Sequence, residues 1–263
     1  MPRTSIMYHP KYLEKTAIED FHDRLERLMN LLDENQVVDG EALAIDSEFE
    51  PITREMALQA GHTETLLKDI ETTEFFEPAL WNCGGAVKAI DNIMTKKCVN
   101  AFTTMPVGGH HAGPATHWGF CYLNEIACAV HHLRTKYNLQ KVMYIDQDFH
   151  HGDGTERFFH DDPNFFFIDF HGQKAGEQPG VKIEKQLQNI DVAMPKGIGG
   201  CDYATIVKEV LDFAINRRKF TPDIIINYAG FDSHVDDGFN RGQIKVDDNT
   251  FAELTNVYLR LSE

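Results

Sequence analysis

The sequence predicts an α/β protein of the three-layer α/β/α kind, with a central, mostly parallel sheet. Three observations carry this. Short continuous apolar runs alternate with segments of helical periodicity. The runs are apolar at successive positions rather than alternate ones, as strands covered on both faces are. Residues rich in Gly, His and Asp follow directly after those runs. In open parallel sheets ligands bind at the carboxyl ends of strands, so the residues just after each run are the ones to inspect. The 263 residues are read as one domain, 1–263.

Residues 18–33 (IEDFHDRLERLMNLLD) place apolar side chains at helical spacing and predict an amphipathic helix. Residues 40–60 give little signal. Residues 84–94 (GGAVKAIDNIM) predict a helix whose small leading residues imply close packing. A short apolar run, 99–103, leads into the Gly- and His-rich segment 106–121. Residues 124–133 (NEIACAVHHL) predict another helix. Strands are expected at 141–145 (KVMYI), 165–170 (FFFIDF) and 222–228 (PDIIINY). Helices are expected over 203–215 and 250–261. No internal repeat or low-complexity stretch interrupts the pattern.

Composition narrows the classes. Hydrophobic residues make up 42% and charged residues 25%, which is globular rather than disordered. No run approaches the roughly 20 apolar residues of a membrane span. The N-terminal residues lack an apolar signal core. The net charge of −16 disfavours contact with nucleic acid and favours cationic substrates and metal ions, besides keeping a protein dispersed. The five cysteines (Cys83, Cys98, Cys121, Cys128, Cys201) are odd in number and form no CxxC pair. That argues against a disulfide framework or a cysteine zinc finger and fits a reducing, cytoplasmic setting.

The chemistry gathers after two of the runs. KVMYI is followed by Asp146, Asp148, His150, His151 and Asp153, five ionisable side chains within eight residues. A lone Asp or His there is commonly a capped turn, and this density argues against that reading. In extended chain, residues two apart project to one side, so Asp148 and His150 can reach one metal. The third strand leads to Asp232, a second carboxylate. One His and two carboxylates leave a coordination position open, as catalytic zinc sites do. The other cluster, His110-His111, is flanked by glycines, which allow close backbone approach. Histidine titrates near pH ~6.5 and serves as base or acid. His131-His132, a second adjacent pair without glycines, reads as a helix terminus. His117, Trp118 and His160 read as surface loop or pocket rim.

The segments GGHHAGPATHWGFCYLN, DQDFHHGDGT and AGFDSH, in that order, resemble the zinc-dependent histone deacetylase and acetylpolyamine amidohydrolase family, on the arginase-deacetylase fold. The resemblance runs from about Tyr8 to the end of the chain. It implies that Asp148, His150 and Asp232 hold zinc and that His111 is the general base. It implies that His110 steadies charge and helps protonate the amine, with Asp146 and Asp153 orienting His110 and His111. Gly119 and Phe120 would meet the acyl-lysine-like stem. Asp146, Asp148, His150, Asp169 and Phe170 match a monovalent cation site, potassium in kind, although the family usually has a small hydroxyl residue where this chain has Asp169. The expected partner is an acetylated cationic amine, as acetyl-lysine or a polyamine.

One departure stands out. The family carries a glycine-glycine-tyrosine segment beyond the last zinc ligand, whose hydroxyl steadies the oxyanion. The sequence as given reaches Glu263 without it, so the domain is expected to be short at its C-terminal end relative to the family. Tyr258 lies within a helical pattern and is not assigned that role. The alternative this leaves is a catalytically impaired pseudo-deacetylase that binds acyl-amines. A dimanganese ureohydrolase is disfavoured, because no Asp-Ala-His-type segment is present.

Overall fold

The computed structural model describes residues 3–13, 19–38, 41–184 and 188–261. The chain divides into two compact units, one reaching to Asn138 and taking in Asp153–Phe158, the other formed by Leu139–Gly152 and the residues from Phe159 onward.

The first unit contains three strands, β1 (Thr4–Met7), β2 (Leu43–Asp46) and β3 (Asn100–Thr103). They pair in parallel in the order β2-β1-β3. Its helices are α1 (Glu19–Glu34), α2 (Arg54–Gln59), α3 (Glu64–Ile70), α4 (Phe76–Met94), α5 (Glu125–Tyr137) and α6 (Asp153–Phe159), the last of which passes into the second unit at Phe159. Ile52, Leu66, Leu67, Ile70, Leu123 and Cys128 belong to one buried cluster. Each fully buried Leu or Ile contributes about 1.5–3 kcal/mol. Side-chain caps fix three helix starts. Thr53 accepts from Met56 N, Thr63 from Leu66 N and Asn124 from Ala127 N, at 3.2, 3.2 and 2.9 Å. Each satisfies a donor that has no partner within the helix.

The helix read from residue 84 starts eight positions earlier, at Phe76. Pro78 falls in its first turn, where proline is tolerated because its missing N–H is not needed. The small residues do mark close packing. A Cβ on Gly84 would lie 2.2 Å from the Glu50 carbonyl oxygen, and one on Gly85 2.5 Å from the Tyr12 hydroxyl. His131 and His132 sit inside α5 rather than at its end, because the helix runs on to Tyr137. There His132 Nε2 meets Asp91 Oδ1 at 2.7 Å, a packing role.

The second unit contains β4 (Val142–Asp146), β5 (Phe165–Gly172), β6 (Gly180–Glu184), β7 (Asn189–Met194), β8 (Ile198–Gly199), β9 (Ile224–Tyr228) and β10 (Ile244–Lys245), with α7 (Gly200–Asp212) and α8 (Asp248–Leu261). Five strands form a sheet in the order β6-β7-β5-β4-β9, parallel except for β6 with β7. β8 and β10 make a small parallel pair. This is the mostly parallel α/β class that the apolar runs predict. β4 and β5 are buried at every position, as their apolar runs predict, and so is β7, whereas β9, expected to be buried, is half-buried along its length at the sheet edge. The last strand starts at Ile224 rather than 222, because the Asp223 carboxylate caps Gln140 N and Lys141 N at 2.9 and 2.8 Å. Tyr258 packs in the core of this unit, and burial pushes its hydroxyl pKa well up.

Candidate active site

β4 and β9 are neighbours, with Asp146 opposite Tyr228, so the segments beyond them leave the sheet side by side. Asp148 follows the first strand by two residues and Asp232 follows the second by four. One ligand atom each from Asp148, His150 and Asp232 lies within 4.8 Å of the others. His150 Nδ1 is 2.7 Å from Asp232 Oδ2 and 3.3 Å from Asp148 Oδ1. The hydrogen bonds to these two carboxylates raise the His150 pKa to about 9, against the effect of burial. Burial pushes the Asp232 carboxyl up, but the bonds from His150 and from Phe149 N outweigh it and hold the pKa low.

The segment is not extended, so alternation along a strand is not what gathers these groups. It bends at residues 148–150, where Asp148 Oδ1 accepts from His150 N at 2.8 Å, and Asp232 Oδ1 accepts from Phe149 N at 2.7 Å. The carboxylates thus organise the loop as well as facing the imidazole. Gly230 is needed here, since a Cβ would lie 2.3 Å from Asp148 Oδ2 and 2.6 Å from Asp148 Cα.

Asp146 is fully buried and accepts from the Tyr144 hydroxyl at 2.6 Å and from Asp148 N at 3.0 Å. Asp169, also buried, accepts from His171 Nδ1 at 2.5 Å and Gly152 N at 2.8 Å. Burial raises its pKa despite those donors. Phe170 packs in the core beside it. His151 bonds Asp191 at 3.1 Å. Sequence reasoning missed Tyr144, His171 and Asp191. The two-residue spacing of Asp169 and His171 within a strand was the only local signal for any of them.

In the first unit, His110 and His111 are both buried, with ring centroids 4.0 Å apart. His111 Nδ1 meets Asp153 Oδ1 at 2.9 Å, the pairing the resemblance implies. Burial pushes the Asp153 carboxyl up, but His111, Arg157 and Trp118 together bring its pKa below the ordinary value. The first turn of α6 is pinned to the histidine loop. Thr155 N donates to the His110 carbonyl at 2.9 Å, and Asn124 Nδ2 bridges the Ala112 carbonyl and Thr155 Oγ1, at 3.0 Å each.

Gly119 and Phe120 form a tight turn in which Cys121 N donates to the Trp118 carbonyl at 3.0 Å. Their φ values, +59° and +62°, are those of a mirror-image type I′ turn. Glycine adopts this freely, whereas Phe120 pays roughly 1–2 kcal/mol. A Cβ at Gly119 would lie 2.6 Å from His111 Cδ2, so the backbone passes close against the His111 imidazole. Phe120 is half exposed. Trp118, read from sequence as loop or rim, is an exposed loop residue that also stacks on His111. His117 bonds Asp69 at 3.0 Å and His160 lies 3.8 Å from Glu184, both outside the metal-ligand group.

A profile of the histone deacetylase domain matches residues 4–263. The chain belongs to the histone deacetylase family. It is 29% identical over 259 residues to a probable deacetylase of Archaeoglobus fulgidus, covering 89% of this chain and 70% of that protein. It is 29% identical over 223 residues to the polyamine deacetylase HDAC10 of Rattus norvegicus, covering 78% of this chain but only 37% of the relative. The crystal structure of the HDA15 HD domain superposes with a TM-score of 0.85 at 23% identity, covering all of this chain and 82% of that one, a likeness of fold. Among the described residues, no helix is long and apolar enough to cross a membrane.

Proposed function

We propose that this chain is a zinc-dependent amidohydrolase that removes acetyl groups from acetylated cationic amines, either acetyl-lysine in proteins and peptides or acetylated polyamines. The observation that carries this is the convergence of Asp148, His150 and Asp232 beyond two adjacent parallel strands. The donor set fits zinc, since one imidazole and two carboxylates leave a position for substrate. Zinc bound there supplies a Lewis acid that polarises the acyl carbonyl and makes a water molecule more acidic.

The remaining steps belong to the chain's own residues. His111, oriented through Nδ1 by Asp153, takes the proton of the attacking water. His110 steadies the developing charge, and the pair returns a proton to the leaving amine. Asp146 has the role of orienting His110. Gly119 and Phe120 flank the acyl-amine stem. In this reading the paired histidines serve the same bond as the metal, and only His151 and Gly152 separate His150 from Asp153 in the chain. The products are acetate and a free amine, and the net charge of −16 favours cationic amines. Potassium fits less well. The carboxylate of Asp169 is already engaged by His171 and Gly152 N, so no step is assigned to a monovalent cation. The impaired, binding-only alternative has no specific observation in its favour.

The test is deacetylation of an acetyl-lysine peptide and of acetylputrescine, side by side, with Asp232→Asn as control. Activity that disappears with a chelator, returns with zinc and is absent in the mutant is the expected result, and the ratio of the two rates assigns the substrate class. Activity indifferent to chelator would sink the proposal.

A further inference from the structure

We propose that Trp118 is a positioning residue for His111, holding the imidazole against its indole face while sharing the carboxylate that orients it, and so setting the proton affinity of the base. This deepens the reading of His111 given above and rests on it. The indole ring stacks on the imidazole with centroids 3.8 Å apart and planes at 29°. Its N–H donates to Asp153 Oδ1 at 3.1 Å, with Oδ2 at 3.4 Å. The same Oδ1 meets His111 Nδ1 at 2.9 Å. Trp118 therefore touches both members of the dyad, one with its face and the other with its edge.

The placement is not that of a core side chain. Trp118 is 49% exposed, while the His111 side chain it covers is 4% exposed. The tryptophan begins the type I′ turn, so the left-handed conformations at Gly119 and Phe120 fix the direction from which the indole arrives. On the far side, Arg157 Nη2 pairs with Asp153 Oδ2 at 2.9 Å and Nη1 donates to Thr116 Oγ1 at 3.1 Å. The titratable and charged groups that this unit brings to the His111 ring are thus His110, Asp153 and, behind the carboxylate, Arg157.

Two effects of Trp118 oppose each other. The indole face attracts the imidazolium, as an aromatic face attracts any cation, and raises the proton affinity of His111. The indole N–H draws on the Asp153 charge that would otherwise act on His111 alone, and lowers it. Phenylalanine keeps the face and removes the donor. Alanine removes both and leaves the ring without a wall.

The experiment combines pH profiles with emission. In zinc-loaded enzyme, Trp118→Phe is expected to move the acidic limb of kcat/KM up by about half a pH unit while keeping most of kcat. Trp118→Ala is expected to lower kcat by about tenfold, from loss of orientation, with KM less affected and the limb below that of the Phe variant. Separately, tryptophan emission is followed against pH in the wild-type chain, Trp118→Phe and His111→Gln. An imidazolium quenches an indole stacked on it, and Trp81, stacked on His9 with centroids 4.1 Å apart, supplies a background common to all three chains, so an additional step is expected in the wild type and in neither variant. Wild-type-like pH profiles and kcat in both Trp118 variants would overturn the inference, as would an emission step beyond that of Trp118→Phe that survives His111→Gln. If the chain proves inactive but the step depends on both residues, the proposed function fails and the coupling stands. If the chain is active and the step is missing, the coupling alone fails.

Discussion

Replacing Gly154 by alanine sets two physical effects against each other. Gly154 lies in the first turn of α6. By helix propensity alone, alanine would stabilise the chain by about 1 kcal/mol. The surroundings predict the opposite. A Cβ there would lie 2.4 Å from the His111 carbonyl carbon, 2.6 Å from that of Ala112 and 2.7 Å from Ala112 N. These are backbone atoms and cannot swing aside. Carbon atoms pack at about 3.5–4.0 Å, so the first turn of α6 must retreat by roughly 1 Å. That retreat stretches the bond from Thr155 N to the His110 carbonyl, the Asn124 bridge to Thr155 and the His111–Asp153 pair. Overpacking costs about 1–3 kcal/mol, and a weakened hydrogen bond about 1 kcal/mol more. Gly154→Ala is therefore expected to destabilise by about 1–3 kcal/mol after the propensity gain is subtracted. Urea unfolding followed by far-UV circular dichroism measures it. An alanine variant as stable as the parent, or more stable, would refute the packing argument and the claim that this contact fixes Asp153 beneath His111.

Asp153→Asn keeps the shape but loses the charge on which His111 is oriented. It is expected to lower kcat about 10²–10⁴-fold with little change in KM, and a loss confined to KM would remove Asp153 from the base. With His150 raised to about 9, zinc must displace a proton from it below that pH. Apparent zinc affinity of the apo chain should then rise nearly tenfold per pH unit between about pH 6.5 and 8.5, and a flat titration would contradict the shared proton. Burial pushes Asp91 up, but bonds from His132, Lys136 and Tyr137 outweigh it and hold its pKa at about 2. Because the folded value is depressed, its stabilisation is complete above the ordinary carboxylate pKa of about 3.9 and is lost as pH falls through about 2. Asp91→Asn should cost about 1–2 kcal/mol at neutral pH, with the difference from wild type closing in acid, and an undiminished gap in acid would refute the assignment.

The sequence by itself determined the positions of three strands of the larger sheet and most of the candidate site residues. The apolar runs forecast the positions of β4, β5 and β9 to within two residues, although only β4 and β5 are buried throughout and β9, at the sheet edge, is half-buried. The density of Asp and His after them marked the candidate metal ligands, and the glycines marked where backbone must pass close. Regions of weak periodicity stayed hidden. β2 and α2 lie within residues 40–60, where length and mixed polarity left no pattern to read. α4 was read short, from residue 84 rather than Phe76. The tertiary structure alone decided which groups meet. Asp148 and His150 come together through a bend capped by a carboxylate, not through strand alternation. Asp169 turns to His171, and Asp146 to the Tyr144 hydroxyl. Trp118, read from sequence as loop or pocket rim, covers His111 because a left-handed turn at the next two positions aims it there. Local sequence encodes periodicity and donor type, which depend on near neighbours. The meeting of residue 111 with residues 118 and 153 depends on how helices and loops close over one another, and only the packed chain settles that.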